Sequence, residues 1–261
     1  MNGTIVVKLG GSTLAEQAGV LAELAELSRH VRLVVVHGGG GRVTAWLERL
    51  GIASRFEAGR RITDPATLEV AAAVLRGSVN VELVAALRHL GADAVGISGV
   101  DGGTLVGRRL AGLGRVVEVT DAQRGLLDAL LADGRVPVVA PLALDETGHV
   151  CNVNADEAAV AIARGIGAAK LVLLTDTDGV SDADGARLRT LDPATVAGLL
   201  EAGVITAGMI PKVRSALLAV ADGGAGEAVI ADGSVPGAVA RALTDAGFGS
   251  RASSAARSEA R

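Results

Sequence analysis

Three lysines stand in a chain whose other basic residues are arginines and four histidines: Lys8, Lys170 and Lys212. A chain that has drifted this far toward arginine keeps lysine chiefly where a rigid planar guanidinium fails. A compact ammonium on a flexible stem suits a phosphoryl oxygen in a tight pocket. Lys8 stands just before Gly10-Gly11, and Lys212 closes the run Gly208-Met209-Ile210-Pro211-Lys212. Chance survival of three lysines is the plain alternative. The glycines beside two of them, at predicted turns, weigh against it. Substitution of Lys8 or Lys212 by alanine is expected to spare the fold and remove turnover.

A second glycine cluster follows His37, from Gly38 to Gly41. Four glycines let a ligand reach the backbone and leave N–H groups free to bind it. Neither glycine turn is a Walker loop or a dinucleotide fingerprint, because the required spacings are absent. Asn152-Val153-Asn154-Ala155-Asp156 precedes a helical pattern. Ordinary capping accounts for Asn154 and Asp156 but not for Asn152. The functional reading has the amides meeting a ligand and Asp156 positioning ammonium groups; both readings stay open here. The aspartates between Asp176 and Asp184 lack the spacing of a calcium loop. Four scattered histidines and the lone Cys151 form no zinc pattern. No serine occupies a nucleophile elbow.

The elements that must position these residues alternate along the chain. A buried strand over 4–9 runs into Gly10-Gly11, then a helix over 13–29, then a strand over 31–37 that ends in the glycines. Strand, glycine turn and helix aim backbone N–H groups at an anion. Ligands of open α/β sheets bind at the carboxyl ends of the strands. A polar connection covers 52–64, and Asp64-Pro65 starts a long helix to about Leu90. Further strands are expected over 94–98, in a hairpin over 104–119, and over 135–144, 149–152, 170–175 and 226–231. Helices are expected over 121–133, 154–165, 193–202, 211–223 and 235–246. The pattern predicts an α/β fold with a mainly parallel central sheet covered on both faces. The turn at Asp145 to Gly148 divides an N-terminal lobe, 1–145, from a C-terminal lobe, 146–249. Residues 250–261 read as a flexible tail.

The 261 residues carry a net charge of −4, and 49% are hydrophobic but only 1% aromatic. The acidic balance and the scarcity of aromatics offer no nucleic-acid surface. No leader pattern and no apolar run of membrane length stand out, so a soluble cytoplasmic protein is expected.

With Lys8-Leu9-Gly10-Gly11, His37-Gly38-Gly39-Gly40, Arg61-Ile62-Thr63-Asp64, Asn152 to Asp156, Leu174-Thr175-Asp176 and Gly208 to Lys212 in order, the chain resembles the amino-acid kinase family. The likeness spans residues 4 to about 249 and is strongest to the branch that acts on N-acetyl-L-glutamate. It implies a three-layer αβα sandwich, an acyl amino acid bound in the N-terminal lobe, and ATP with Mg2+ in the C-terminal lobe. By the resemblance, Lys8 and Lys212 stabilise the transferring phosphoryl group and Asp156 holds both. Gly10, Gly11, Gly39 and Gly40 are implied as backbone donors. Arg61 and Asn152, with Asn154 beside them, are implied to grip the substrate. Thr175, Asp176, Thr177, Asp178, Gly179 and Val180, with Val204, Ile205 and Thr206, are implied to line the nucleotide. No metal ligand is implied, since Mg2+ rides mainly on ATP phosphates.

The implied reaction makes an acyl phosphate on the substrate γ-carboxylate, a step of arginine biosynthesis. Two features depart from the family pattern. Gly41-Arg42 stands where proline and glutamine are usual, and Val81 follows Asn80 where lysine is usual, a position assigned to the surface or to a subunit contact. The chain begins directly at its first strand, without the extra helix of arginine-inhibited hexamers, so a homodimer insensitive to arginine is expected. The alternatives are a kinase for aminoadipate or glutamate on a small acidic carrier protein, and a non-catalytic amino-acid or nucleotide sensor on the same fold. The first needs a basic docking face and the second should have lost Lys8, Lys212 or Asp156.

Overall fold

The computed structural model describes residues 3–10, 18–205 and 208–253. The strands among them are β1 (Thr4–Leu9), β2 (Arg32–His37), β3 (Phe56–Glu57), β4 (Arg60–Arg61), β5 (Ala94–Ser98), β6 (Leu105–Arg109), β7 (Val117–Ala122), β8 (Val136–Ala140), β9 (Leu142–Asp145), β10 (Val150–Asn152), β11 (Lys170–Thr175), β12 (Glu227–Asp232) and β13 (Ser250–Ser253). The helices are α1 (Ala18–Leu27), α2 (Gly40–Arg49), α3 (Pro65–Ala72), α4 (Asn80–His89), α5 (Gly125–Ala132), α6 (Ala155–Gly165), α7 (Pro193–Glu201), α8 (Ile210–Val220) and α9 (Ala238–Thr244).

A seven-stranded sheet in the order β13-β12-β11-β1-β2-β8-β5 forms the middle layer. Its pairs are parallel except β12–β13. Alternation along β1 sends Ile5 and Val7 to one face and Val6 to the other. The first face packs under Leu24 of α1, Leu83 and Leu87 of α4 and Val239 of α9. The second packs against Ala159 and Ile162 of α6 and Val213 and Ala216 of α8. This is the expected αβα sandwich. Small alanines on α6 let that helix lie close over β1.

Several elements differ from their sequence reading. The polar connection over 52–64 folds into the hairpin β3–β4. The apolar run over 135–144 is two strands. β8 lies in the large sheet and β9 in a four-stranded sheet ordered β10-β9-β6-β7. Pro141 sits at the switch, where its missing N–H suits a break in a ladder. The helix expected from Asp121 begins at Gly125, because β7 continues to Ala122 in pairing with β6. The turn at Asp145 to Gly148 is the tip of the β9–β10 hairpin.

Residues 250–253 are an edge strand, not a flexible tail: Ser250 and Ala252 are fully buried, and the Arg251 guanidinium pairs with Glu227 at 3.0 Å. Residues 254–261 lie outside the described part.

Between α3 and α4 the helix loosens to π geometry over Ala73–Val79. Within the 25-residue stretch Pro65–His89 an 18-residue window has mean hydropathy 1.6, so by length and composition alone this helix is apolar enough to cross a membrane, a test that the core helix of a sandwich also passes. Asn80 and Leu87 on it are fully buried against the sheet, which is how a core helix of an α/β sandwich is placed.

Candidate active site

β1, β2 and β11 are adjacent, and their carboxyl ends carry three of the predicted motifs side by side. Register pairs Lys8 with Val36 on one flank and with Leu173 on the other. Gly38 N donates to Leu9 O at 3.1 Å, so the two glycine turns touch. A Cβ on Gly38 would lie 3.6 Å from the Gly10 carbonyl, an ordinary contact. Gly11 and Thr206 lie outside the described residues.

Lys8 is the next-to-last residue of β1, and its side chain meets the first turn of α6. Its Nζ is 2.8 Å from Asp156 Oδ1, and both side chains are about nine-tenths buried. Desolvating two charges is costly unless they pair, and this pair does so in a site that excludes most water. Asn154 caps α6: its Oδ1 accepts from Asp156 N at 2.8 Å and Glu157 N at 3.4 Å. Capping is therefore real, and it aims Asp156 at Lys8. The capping reading is thus observed for Asn154, and the capped turn also carries the carboxylate that pairs with Lys8.

Beside this pair is a pocket of about 150 Å³ lined by Gly38, Gly39 and Gly40, by Arg60 and Arg61, and by Asn152, Val153, Asn154 and Ala155. Arg61 is 7% exposed, and its Nη2 donates to Gly40 O and to Thr44 Oγ1, each at 2.9 Å. Its Nη1 donates to Ser54 Oγ, and its plane lies over Phe56. The guanidinium thus braces the glycine loop while facing the pocket, and burial lowers its pKa. Asn152 Nδ2 donates to Thr63 Oγ1 at 3.3 Å, and Thr63 Oγ1 donates to Arg61 O at 2.8 Å. A positive fork, an amide and backbone N–H groups around a small cavity are a receptor for a carboxylate-bearing molecule.

The hairpin β3–β4, which sequence reasoning missed, supplies Phe56, Gly59 and Arg60 to the pocket wall. Its only signal was the turn glycine Gly59, at φ 78°. Arg60 Nη2 reaches Glu157 Oε1 at 2.6 Å in the first turn of α6. Burial raises the Glu157 pKa against the pull of Arg60. From Gly59 a Cβ would reach Pro211 Cγ at 4.0 Å. One hairpin therefore borders the first turns of both α6 and α8, which also pack on each other. Lys212 follows Pro211 in the first turn of α8 and forms no ion pair with a described residue. The third lysine is structural: Lys170 pairs with Glu227 at 2.6 Å, directly across β11–β12.

Among the described residues, those implied for the nucleotide lie at the end of β11 and after α7 and do not line the pocket. Thr175 closes the strand, and Thr175 Oγ1 donates to Asp176 Oδ1 at 3.1 Å. Asp178 pairs with Arg187 at 3.3 Å. Gly179 has φ 137°, and a Cβ there would meet Ser250 Oγ at 2.5 Å, so only glycine fits. Val180 N donates to that same Ser250 Oγ at 2.8 Å. Thr177 Oγ1 lies 3.5 Å from Gly179 O. Val204 N closes onto Leu199 O at 3.0 Å, and Ile205 is buried in the core. Val81, the departure at the usual lysine, is 52% exposed on α4.

Comparison with known proteins places this geometry. A sequence model described as the amino acid kinase family matches residues 3–232. The acetylglutamate kinase of Rubrobacter xylanophilus is 45% identical over 241 residues, covering 92% of this chain and 93% of that protein. That of Rhizorhabdus wittichii is 43% identical over 254 residues, covering 90% and 84%. Among solved structures, N-acetylglutamate synthase from Neisseria gonorrhoeae, complexed with coenzyme A and N-acetyl-glutamate, aligns with a TM-score of 0.83 at 25% identity. That alignment covers 96% of this chain and 59% of the synthase.

Proposed function

The chain belongs to the amino acid kinase family, and on that premise we infer that it transfers the γ-phosphoryl group of ATP to the γ-carboxylate of N-acetyl-L-glutamate, in arginine biosynthesis. The observation that carries the reading is the buried Lys8–Asp156 pair at 2.8 Å, set between a glycine turn and a small carboxylate-receiving pocket. The nucleophile is already ionised near neutral pH, so no general base is required. A carboxylate oxygen forms a bond to the γ-phosphorus as the bond from that phosphorus to the bridging oxygen breaks, releasing ADP. Catalysis of such a transfer is mostly positioning and charge neutralisation.

In this reading Arg61 and Asn152 hold the substrate α-carboxylate at the pocket wall, and Asn154 lines the wall as it caps α6. Gly10, Gly39 and Gly40 offer backbone N–H groups to oxygens. Lys8 and Lys212 stabilise charge on the migrating phosphoryl group, and Asp156 fixes the lysines. Residues Thr175 to Val180 and Val204 to Ile205 receive the nucleotide. Among the described residues no three His, Cys, Asp or Glu side chains converge as a metal cage. Mg2+ fits best carried in on the ATP phosphates, where it neutralises oxygen charge. We further propose a cytoplasmic homodimer, with no nucleic-acid or membrane partner.

Incubation with ATP, Mg2+ and N-acetyl-L-glutamate, with hydroxylamine to trap the acyl phosphate, tests the reaction. Hydroxamate formed from the free acyl amino acid is expected. Product only from carrier-bound aminoadipate or glutamate would assign the chain to the other kinase branch. No product from either would leave a sensor.

A further inference from the structure

We infer that His37 is a positioning residue: held by Asn80, it locks the Gly38–Gly39 peptide plane so that the Gly39 N–H faces the pocket as a donor to a reacting oxygen. This deepens the kinase reading and rests on it, since that reading supplies the oxygen to be met. His37 and Asn80 stand 43 residues apart in sequence, at the end of β2 and the start of α4. Both are buried, at 1% and 0% exposure, and neither has a role in the mechanism above.

The bonding decides the tautomer. Asn80 Nδ2 lies 2.8 Å from Val138 O and 3.4 Å from Ile97 O, both acceptors, so that atom is the amide nitrogen. The same nitrogen is 3.1 Å from His37 Nε2. That ring nitrogen therefore accepts, and the proton of the neutral ring sits on Nδ1. His37 Nδ1 then donates to Gly38 O at 2.7 Å. The Asn80 amide is itself fixed from its other end, where Oδ1 accepts from Arg76 Nη1 at 3.2 Å. Arg76 is in turn spent on Gly96 O at 3.0 Å and lies 3.9 Å from Asp101 Oδ2.

A trans peptide is planar, with its C=O and the following N–H pointing to opposite sides. Pinning Gly38 O toward the buried imidazole thus turns the Gly39 N–H away from it, and Gly38 and Gly39 both line the pocket. Gly39 N donates to no described residue. Gly39 adopts φ 144°, and Leu75 and Val79 of the π-helical stretch close the space behind it, at 2.9 Å and 3.3 Å from where a Cβ would be. The ring also remains neutral in working conditions, because burial lowers its pKa from 6.5 to about 4. A loop of glycines has no stiffness of its own; the imidazole supplies it from below.

Two substitutions separate the halves of this device. His37→Asn keeps a donor near the Nδ1 position for Gly38 O but loses the acceptor for Asn80. His37→Gln keeps the acceptor and loses the donor. With trapped-hydroxamate kinetics, His37→Gln is expected to lower kcat about 100-fold, the usual cost of a misplaced reacting group. Its KM for ATP should move little, since the residues proposed for the nucleotide lie after β11 and α7 and not on the glycine loop. His37→Asn is expected to keep at least about ten times the turnover of His37→Gln, for the same geometric reason. Equal losses in the two variants, tracking equal losses in Tm, would show a merely structural histidine and overturn the inference. Nitrogen-15 NMR of the wild-type imidazole gives a readout free of activity. A neutral ring protonated on Nδ1 is expected, and an Nε2-protonated ring or an imidazolium at pH 7 would also overturn it. Absence of hydroxamate from the wild type would instead reject the kinase reading and leave the NMR result to stand alone.

Discussion

Lys8 and Lys212 share one role in the proposed transfer, yet their removal should have different consequences. Lys8 neutralises a carboxylate that is 6% exposed, and Lys212 has no such buried partner among the described residues. Lys212→Ala is expected to fold with an unchanged Tm and lose about 100- to 1000-fold in kcat, the usual worth of one charge-stabilising donor. Lys8→Ala should lose comparable turnover and also about 3–5 kcal/mol of stability, because Asp156 is left buried and unpaired. Steady-state kinetics beside urea unfolding measure both. Equal stability of the two variants would show that the Lys8–Asp156 pair contributes nothing to the fold. This revises the expectation that either substitution spares the fold.

His37 adds a pH dependence at the same scale. Unfolded, it takes up a proton near 6.5; folded, only near 4. The unfolded chain thus binds more protons between these values, so stability falls as pH drops through that window. From pH 7 to pH 5 the loss is about 2 kcal/mol. Glu157 acts oppositely, since burial raises its pKa and protonation then favours the folded state. It is present in both proteins, so wild type compared with His37→Asn isolates the histidine. Unfolding free energies from urea titrations at the two pH values should diverge by that amount between the proteins; parallel behaviour would place the imidazole in water. At this scale the lysines, glycines and Asn152 to Asp156 were legible because each is local in sequence. The Asn80 contact was not, because nothing in one chain marks residue 80 as the partner of residue 37.

Among the elements, strand–turn–helix units read well because a buried parallel strand is a continuous apolar run and its glycines punctuate it. The hairpin β3–β4 was invisible, since two-residue strands with exposed Phe56 and Glu57 show no periodicity. The break at Pro141 was equally hidden, because β8 and β9 are both apolar and only tertiary pairing divides them. The π-helical stretch is likewise set by packing, with Leu75 and Val79 pressed beneath Gly39. Gly39→Ala tests that contact. An alanine must adopt φ 144° and meet Leu75 Cδ2 at 2.9 Å. A positive-φ strain of about 1–3 kcal/mol is expected, read as a lowered urea midpoint together with a raised KM for the acyl amino acid. Gly40→Ala has only Arg61 Nη2 nearby, at 4.0 Å. It should keep the wild-type midpoint. A Gly39→Ala protein as stable as Gly40→Ala would mean that the loop is not braced from below.

Across the whole molecule, the seven-stranded sheet runs through both halves of the sequence: β1 pairs with β2 on one side and with β11 on the other. A second tie crosses the same divide. Glu23 of α1 accepts through Oε1 from Gly237 N at 2.8 Å and through Oε2 from Val239 N at 2.9 Å. It thereby caps α9, which has no side-chain cap of its own. A carboxylate at a helix N-terminus satisfies orphan donors and meets the positive end of the helix dipole. Such a link between residues 214 positions apart has no sequence signal, although it joins α1, early in the chain, to α9 near its end. Glu23→Ala is expected to cost about 1–2 kcal/mol, the usual worth of a cap. Glu23→Gln, which keeps an acceptor but loses the charge, should cost about 0.3–1 kcal/mol. Because the sheet is continuous, urea unfolding of wild type and of both variants should follow one transition seen alike by circular dichroism and by Trp46 fluorescence. Two separated transitions in Glu23→Ala would mean that the halves fold as independent units and that Glu23, rather than the β1–β11 ladder, couples them.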